Sequence, residues 1–375
     1  MKKSVGHQRC IDVLGNPFKQ PGAKVSANWM RPIAIRLTNF ARAGLLSIAT
    51  LVGGWSSFGY ADYSQHPDAA AFIDKMVKEH NFTKEYVEGA LRQAEKKQSI
   101  LDAISRPAEK TLEWFDYRKI FLGESRINQG VQFWQENEST LRKAEKEFGV
   151  SASIIVAIIG VETRYGRHAG SYRVIDALST LGFDYPPRAS FFRSELEHFF
   201  LLTREQKQDL LALTGSYAGA MGYGQFISSS FRHYAVDFDG DEIADIWANP
   251  TDAIGSVANY FKSHKWQTGK PVATRARIAE GYDKEILNSK NKPDLSLAQL
   301  QQKGFTPAVE GYEASAEATP LMYVGEYGKE FWLGFNNFYV ITRYNRSHLY
   351  AMAVWQLSEE IRMLYEKSLA EKTTS

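Results

Sequence analysis

Apolar residues recur at spacings of three and four through most of this chain, and in one place the spacing vanishes. From Ile154 to Val161 there is almost no polar atom, with Ser151-Ala152-Ser153 before the run and Glu162-Thr163-Arg164-Tyr165-Gly166 after it. Ser151 or Ser153 can cap a helix start, because a short side-chain oxygen accepts an orphan backbone N–H. A helix apolar on every face is a buried one, and this run is too short to cross a bilayer. Glu162 then falls on the last turn, with Gly166 placed to end the helix.

The flanking pattern is mostly helical. Ala69 to His80, Thr83 to Glu95 and Asn128 to Phe148 show helical periodicity, with a break and new cap at Asn81-Phe82-Thr83 and a stop at Gly149. Tyr117 to Phe121 reads as a less regular connector. Beyond the buried run, helices are expected at Tyr172–Leu181, Ala189–Leu202 and Thr251–Lys262. After Thr268 the character changes. Lys270 to Ile278 alternates like a strand, and Ala318–Val324, Lys329–Leu333 and Phe338–Thr342 read as further strands, with a short helix at Leu295–Lys303. A closing helix runs from Ser347 to Ala370. No internal repeat or low-complexity tract is visible.

Four stretches carry candidate chemistry. Burial of Glu162 would disfavour its charged form and hold a proton near neutral pH, as a general acid requires; alternatively it reaches solvent at the helix end or pairs with Arg164 or Arg167. Gly215 to Phe226 holds four glycines with Ser216, Tyr217, Tyr223 and Gln225 as polar handles, and is either a ligand-hugging loop or a tight turn between helices. Asp237, Asp239 and Asp241 open an EF-hand-like spacing that gathers hard oxygen ligands, with the Ile243 carbonyl at position 7. Glu242 replaces the usual glycine and Ala248 stands where the closing Glu belongs, so Asp252 would close a longer loop. A solvated acidic turn is the other reading. Arg343 to Tyr350 holds Tyr344 and Asn345 ahead of the last helix, where Ser347 can cap it.

Composition adds limits. Of 375 residues, 44% are hydrophobic and 23% charged, ordinary for a soluble globular chain of two or three packed units. A net charge of +2 gives no reason to expect nucleic acid. Cys10 is the single cysteine, so no intrachain disulfide forms. The eight histidines show no ligand pair, and no Ser/His/Asp triad follows from spacing. The aromatic share, 13%, suits sugar rings as well as cores. Arg31, Arg36 and Arg42 precede the apolar run Ala43–Val52, and Gly59-Tyr60-Ala61 offers a cleavage site after Ala61. Met30 is an alternative start, and an uncleaved membrane anchor is the alternative to export with cleavage.

Taken in order, Glu162-Thr163-Arg164-Tyr165-Gly166, Gly215 to Gly222 with Gln225-Phe226, the acidic loop with Ile246-Trp247, Asp252 to Tyr260, and Tyr344-Asn345 with Ser347 resemble the membrane-bound lytic murein transglycosylase B family, over roughly residues 65 to 365. The resemblance implies a periplasmic enzyme that cleaves peptidoglycan between N-acetylmuramic acid and N-acetylglucosamine and leaves a 1,6-anhydro ring. It implies a mainly α (α+β) fold, a lysozyme-like core with a helical domain and a small inserted β domain. The expected organisation is an export segment 1–61, a helical domain 62–149 joined by helix 347–370, a catalytic core 150–267 completed by 324–346, and a β-containing domain 268–323. Glu162 matches the family's catalytic acid, and Ser216, Gln225, Tyr344 and Asn345 match cleft positions beside it. Tyr117, Arg188 and Tyr260 match sugar-contacting positions, and Tyr217 and Phe226 join that expected set. A structural Ca²⁺ would sit in loop 237–252 on Asp237, Asp239, Asp241, Ile243 and Asp252, with no organic cofactor. Glycan strands are the expected partner, with wall-synthesis proteins as further candidates, and the chain is expected to be a monomer. The sequence departs from the family pattern at Pro187-Arg188, Phe191 and Ile227-Ser228. A lysozyme-type muramidase and a non-catalytic wall-binding protein are the alternative readings.

Overall fold

The computed structural model describes residues 62–105 and 112–373, so the expected export segment, its cleavage site and Cys10 lie outside the described residues. Six helices come first: α1 (Ala69–His80), α2 (Lys84–Gln93), α3 (Gln98–Ser105), α4 (Trp114–Phe121), α5 (Glu124–Glu136) and α6 (Glu138–Phe148). The apolar run forms α7 (Ala152–Thr163). Strand β1 (Tyr172–Arg173) leads to α8 (Val174–Asp184) and α9 (Ala189–Glu205), then β2 (Thr214–Gly215), α10 (Ser228–Tyr234) and α11 (Pro250–Ser263). The later part holds β3 (Ala273–Ile278), β4 (Leu295–Ser296), α12 (Leu297–Gln302), β5 (Phe305–Pro307), β6 (Glu317–Gly325), β7 (Gly328–Gly334), α13 (Asn336–Tyr344) and α14 (His348–Thr373).

The centre is α7. Ile154, Ile155, Val156, Ile158 and Ile159 are buried on all sides, because α5, α6, α11 and α14 pack around them. Each such side chain contributes ~2 kcal/mol by leaving water, which outweighs the weak helix propensity of β-branched residues. The start of α7 differs from expectation. Ser151 sits at the N-cap position without a side-chain cap bond, and Glu145 Oε1 instead accepts the Ala152 N–H at 3.3 Å.

Three expectations change. The single helix expected over 128–148 breaks at Asn137, whose amide side chain donates to the Phe133 carbonyl at 2.9 Å and competes with the helical ladder. The segment Tyr117–Phe121 belongs to α4, because Trp114, Tyr117 and Phe121 share one face and their rings contact one another, tilted, in sequence. Phe338–Thr342 is helical, not a strand. Its β-branched residues suit a sheet, but tertiary contacts win: Asn337 is fully buried and ties α13 to the 267–270 segment through Gln267 and Lys270.

The strands β4-β6-β7-β3-β5 form one antiparallel sheet in that order. The β6–β7 hairpin pairs Thr319 with Gly334 and Gly325 with Gly328 around a two-residue turn. The sheet therefore extends to Gly334, and a boundary at 323 would cut this hairpin. Leu297, Leu300, Phe305, Ala318, Leu333 and Phe335 give it a small core of its own. A second, two-residue ribbon pairs Tyr172 with Gly215 and brings the chain after α7 beside the glycine-rich segment.

Candidate active site

The last turn of α7 is held in an unusual shape. Arg164 and Tyr165 follow it with φ of 52° and 62°, and Gly166 with 82°. Left-handed backbone at two successive non-glycine residues is costly and persists only where surroundings enforce it. Helix α5 supplies that enforcement: Arg164 donates to Gln129 and Ser125, and the Tyr165 hydroxyl donates to the Arg126 carbonyl at 3.0 Å. The helix thus ends at Thr163, before Gly166, and Arg164 is engaged with α5 rather than with Glu162. Thr163 Oγ1 donates to the Tyr223 carbonyl at 2.9 Å and accepts from the Gly166 N–H, so the glycine-rich loop is pinned directly beside Glu162.

Glu162 is half-buried: packed walls strip most water from its carboxyl while one side stays open to solvent. That desolvation pushes its pKa up to about 7. The opposing influence is a single hydrogen bond, from the Tyr350 hydroxyl to Glu162 Oε1 at 2.5 Å. Tyr117 and Tyr344 are close enough that the Glu162 charge, after burial, raises both phenols. Three tyrosines from α4, α13 and α14 therefore surround one carboxyl.

The glycine-rich loop forms the adjoining wall. The Tyr344 hydroxyl donates to the Gly224 carbonyl at 2.6 Å, and a Cβ on Gly224 would lie 2.9 Å from the Tyr344 hydroxyl oxygen. Glycine is needed there for close approach. Ser216 Oγ accepts the N–H groups of Ala218 and Ala220 at 3.3 and 3.0 Å, which leaves its own proton as a donor. Gln225, at φ 50°, donates to the carbonyls of Ala169 and Gly222 and so holds the loop's shape.

The acidic loop joins this wall from behind. Tyr223 N–H donates to the Ile246 carbonyl at 3.0 Å. Carboxylate oxygens of Asp237, Asp239, Asp241 and Asp252 lie within 4.8 Å of one another. Asp252 sits in the first turn of α11 and accepts the N–H groups of Phe238 and Asp245 at 2.7 and 2.8 Å. Glu242, in the position usually given to glycine, adopts φ 73°. The Ile243 carbonyl accepts from Asp245 N–H at 3.1 Å and keeps a second lone pair. This all-oxygen set fits a hard cation such as Ca²⁺.

The family model described as the transglycosylase SLT domain matches residues 64–359. The chain belongs to this family. Among transglycosylase SLT relatives, it is 44% identical over 311 residues to the membrane-bound lytic murein transglycosylase B of Escherichia coli (strain K12), covering 80% of this chain and 84% of that one. The solved structure of catenated lytic transglycosylase SltB1 from Pseudomonas aeruginosa is similar at 54% identity and a TM-score of 0.79, covering 81% of this chain and 100% of that chain. The Escherichia coli lytic transglycosylase Slt35 in complex with calcium is similar at 42% identity and a TM-score of 0.73, covering 81% and 95%.

Within this transglycosylase SLT framework the expected residues separate into groups. Glu162, Tyr117 and Tyr344 come together, and Asn345 follows Tyr344 with its Oδ1 accepting the Ser347 N–H at 3.1 Å. Arg188 and Tyr217 form a neighbouring pair, with the guanidinium over the Phe191 and Phe192 rings at 4.5 and 5.3 Å. Phe226 and Tyr260, expected to touch sugar, are instead 3% exposed each and pack behind Tyr344; the Tyr260 hydroxyl is spent on the Arg343 carbonyl at 2.6 Å. They position the wall rather than face it. Tyr350 was missing from the expected set although it makes the shortest contact to Glu162. The one signal for it lies in the first turn of α14, where Ser347 Oγ accepts the Tyr350 N–H and fixes that tyrosine's direction.

Proposed function

We propose that this chain is a lytic transglycosylase that cleaves the MurNAc–GlcNAc β-1,4 bond of peptidoglycan, with Glu162 as its single acid–base group. The observation that carries the reading is a solvent-facing carboxyl whose desolvation puts its pKa at about 7, inside a family of murein transglycosylases.

The reaction needs a proton delivered and then recovered. Protonated Glu162 gives its proton to the leaving O4 of N-acetylglucosamine as the C1–O4 bond breaks. The muramic acid's own N-acetyl oxygen steadies the oxocarbenium-like C1, as in substrate-assisted glycosidases. The C6 hydroxyl oxygen then bonds to C1, and its proton returns to the Glu162 carboxylate. The product is the 1,6-anhydro sugar, and no water is consumed. Proximity favours this internal hydroxyl over solvent. Ordinary glycosidases pair two carboxylates; among the described residues, the carboxyls that act on the wall residue Tyr223 are Asp245 of the acidic loop and Glu136 of α5, while the groups that respond to the Glu162 charge are the phenols of Tyr117, Tyr344 and Tyr350. Tyr350 holds the carboxyl in place. Ser216, through its spare proton, and Asn345 with Tyr344 orient the acetamido sugar, while Arg188, Tyr217 and Tyr117 line the approach.

Asp237, Asp239, Asp241, Asp252 and the Ile243 carbonyl would hold Ca²⁺, which supplies structural cross-linking between the loop and α11 and no step of the reaction. The site of action is read as the periplasm, with residues 1–61 as the export segment cleaved after Ala61, and the sheet carrying β3 to β7 is read as a separate small domain.

Mass analysis of products from purified sacculi tests the reading. Anhydro-muropeptides, lighter by one water than the hydrolytic products, are expected. Products ending in reducing muramic acid would assign a lysozyme-type hydrolase instead.

A further inference from the structure

At the end of α7 opposite Glu162 lies a cavity of about 520 Å³ that the reaction above leaves unused. Its walls come from three directions: the turn between α6 and α7, the segment leading from α11 into β3, and one face of α14. Two half-buried indoles, Trp266 and Trp355, line it together with Glu145, Glu359, Lys270 and Ser151. Among the described residues neither indole N–H has a hydrogen-bond partner, and neither is sealed away from solvent. Ser151 makes no cap bond, so its hydroxyl is unspent on the helix. Glu145 commits one oxygen to the Ala152 N–H, and Glu359 pairs with Arg362 at 2.8 Å.

The chemistry of these walls narrows the ligand. Two carboxylates stand against one ammonium and a helix N-terminus, so no strong net charge selects an anion or a cation. What remains is two indoles, Trp266 packed at right angles on Phe261 and Trp355 on Trp332, with N–H donors and carboxylate acceptors in a volume typical of small-ligand sites. A pyranose with an acetamido group offers the complement: an apolar C–H face for an indole, hydroxyls for the carboxylates and a carbonyl for an indole N–H. We propose that this cavity is a second glycan site, an exosite that binds an N-acetylhexosamine unit of murein away from the reacting bond. It rests on the reading of murein as substrate. Roughly ten residues of α7 at 1.5 Å each put the exosite ~15 Å from Glu162, so the sugar held there is not the one being cut. Its effect is to keep the enzyme on an insoluble polymer by raising the local concentration of strand at the groove.

The test uses the full chain carrying Glu162→Gln, so that glycan is bound and not consumed. Indole N–H resonances of this protein are followed as a soluble GlcNAc–MurNAc oligomer is added, with Trp266→Phe and Trp355→Phe assigning the two signals. Both signals should move saturably. In parallel, co-sedimentation with purified sacculi is measured for the same protein and for added Trp266→Ala or Glu359→Gln, with melting temperature recorded as the folding control. Retention on sacculi should weaken about tenfold or more, because losing the second contact removes its gain through effective concentration. Stationary indole signals, or unchanged retention in both folded variants, overturn the exosite. Release of anhydro-products by the Glu162 parent from the same sacculi reports separately on the murein reading, so a parent that cuts while the indole signals stay still sinks the exosite alone.

Discussion

Two carboxyls in this protein lose their water in different company. Glu162 closes α7 among three phenols, with one hydrogen bond and, among the described residues, no cation shifting it. Asp252 opens α11 under the cover of its own loop, with two backbone N–H donors and three further carboxylates within 4.8 Å. Burial raises the pKa of both. The difference lies in what can relieve the cost. A lone carboxyl relieves it by keeping a proton, which is reactivity. A carboxyl in an acidic cluster could relieve it by gathering a cation, which would be structure. Helix position sharpens the contrast, since a helix N-terminus favours negative charge and a C-terminus opposes it.

The comparison breaks most visibly at Glu162. Glu162→Gln keeps the shape and removes the transferable proton. Murein cleavage should fall about 10³-fold or more, read as anhydro-product release from sacculi, and undiminished release would remove Glu162 from the chemistry. The acidic loop should respond in stability instead. Chelation of the calcium-loaded protein should lower its folding free energy by about 3–4 kcal/mol if the site was held at several hundred times its Kd. Scanning calorimetry with and without chelator reads this, and Asp252→Asn should abolish the difference. A melting temperature indifferent to chelator in the parent would leave the loop a plain acidic turn.

A third measurement joins the two carboxyls through pH. A carboxyl whose folded pKa exceeds its ordinary value of 4.5 binds more protons folded than unfolded, so Glu162 costs stability as pH rises from about 4.5 to about 7. Glu162→Gln should therefore be more stable than the parent above pH 7, by at most ~3 kcal/mol less the share that solvent on the open side screens. The gain should vanish below about pH 4.5, and a gain that is flat with pH would contradict a raised pKa. The smallest effect is at Tyr350. Tyr350→Phe removes the bond that favours the charged form, so the Glu162 pKa should rise and the alkaline limb of the pH–rate profile should move above its parent position near 7. Turnover should drop about tenfold, the worth of one hydrogen bond of ordinary strength. An alkaline limb that stays in place would show the contact to be structural.

Much of this site was legible before the fold. Ile154 to Val161 reads as a buried rod because no helical face is polar, and Glu162 stands out for that reason alone. The acidic loop is legible from carboxylate spacing, and the fold brings Asp252 beside Asp237, Asp239 and Asp241. Other elements were harder to read. Phe338–Thr342 carries strand-like residues and becomes a helix through buried Asn337 contacts some seventy residues away in sequence. Phe226 and Tyr260 resemble sugar platforms in type, yet burial turns them into supports.

The sequence by itself determined which residues must leave water and which glycines let backbones meet, because hydrophobicity and the missing Cβ are properties of single residues. Only the tertiary structure decided which partners each buried group meets. Tyr350 reaches Glu162 across 188 positions, and Gly224 meets Tyr344 across 120. Such contacts arise when α14 and α13 pack against α7 and the glycine-rich loop. No local period encodes them, since the energy that selects them belongs to the packed whole.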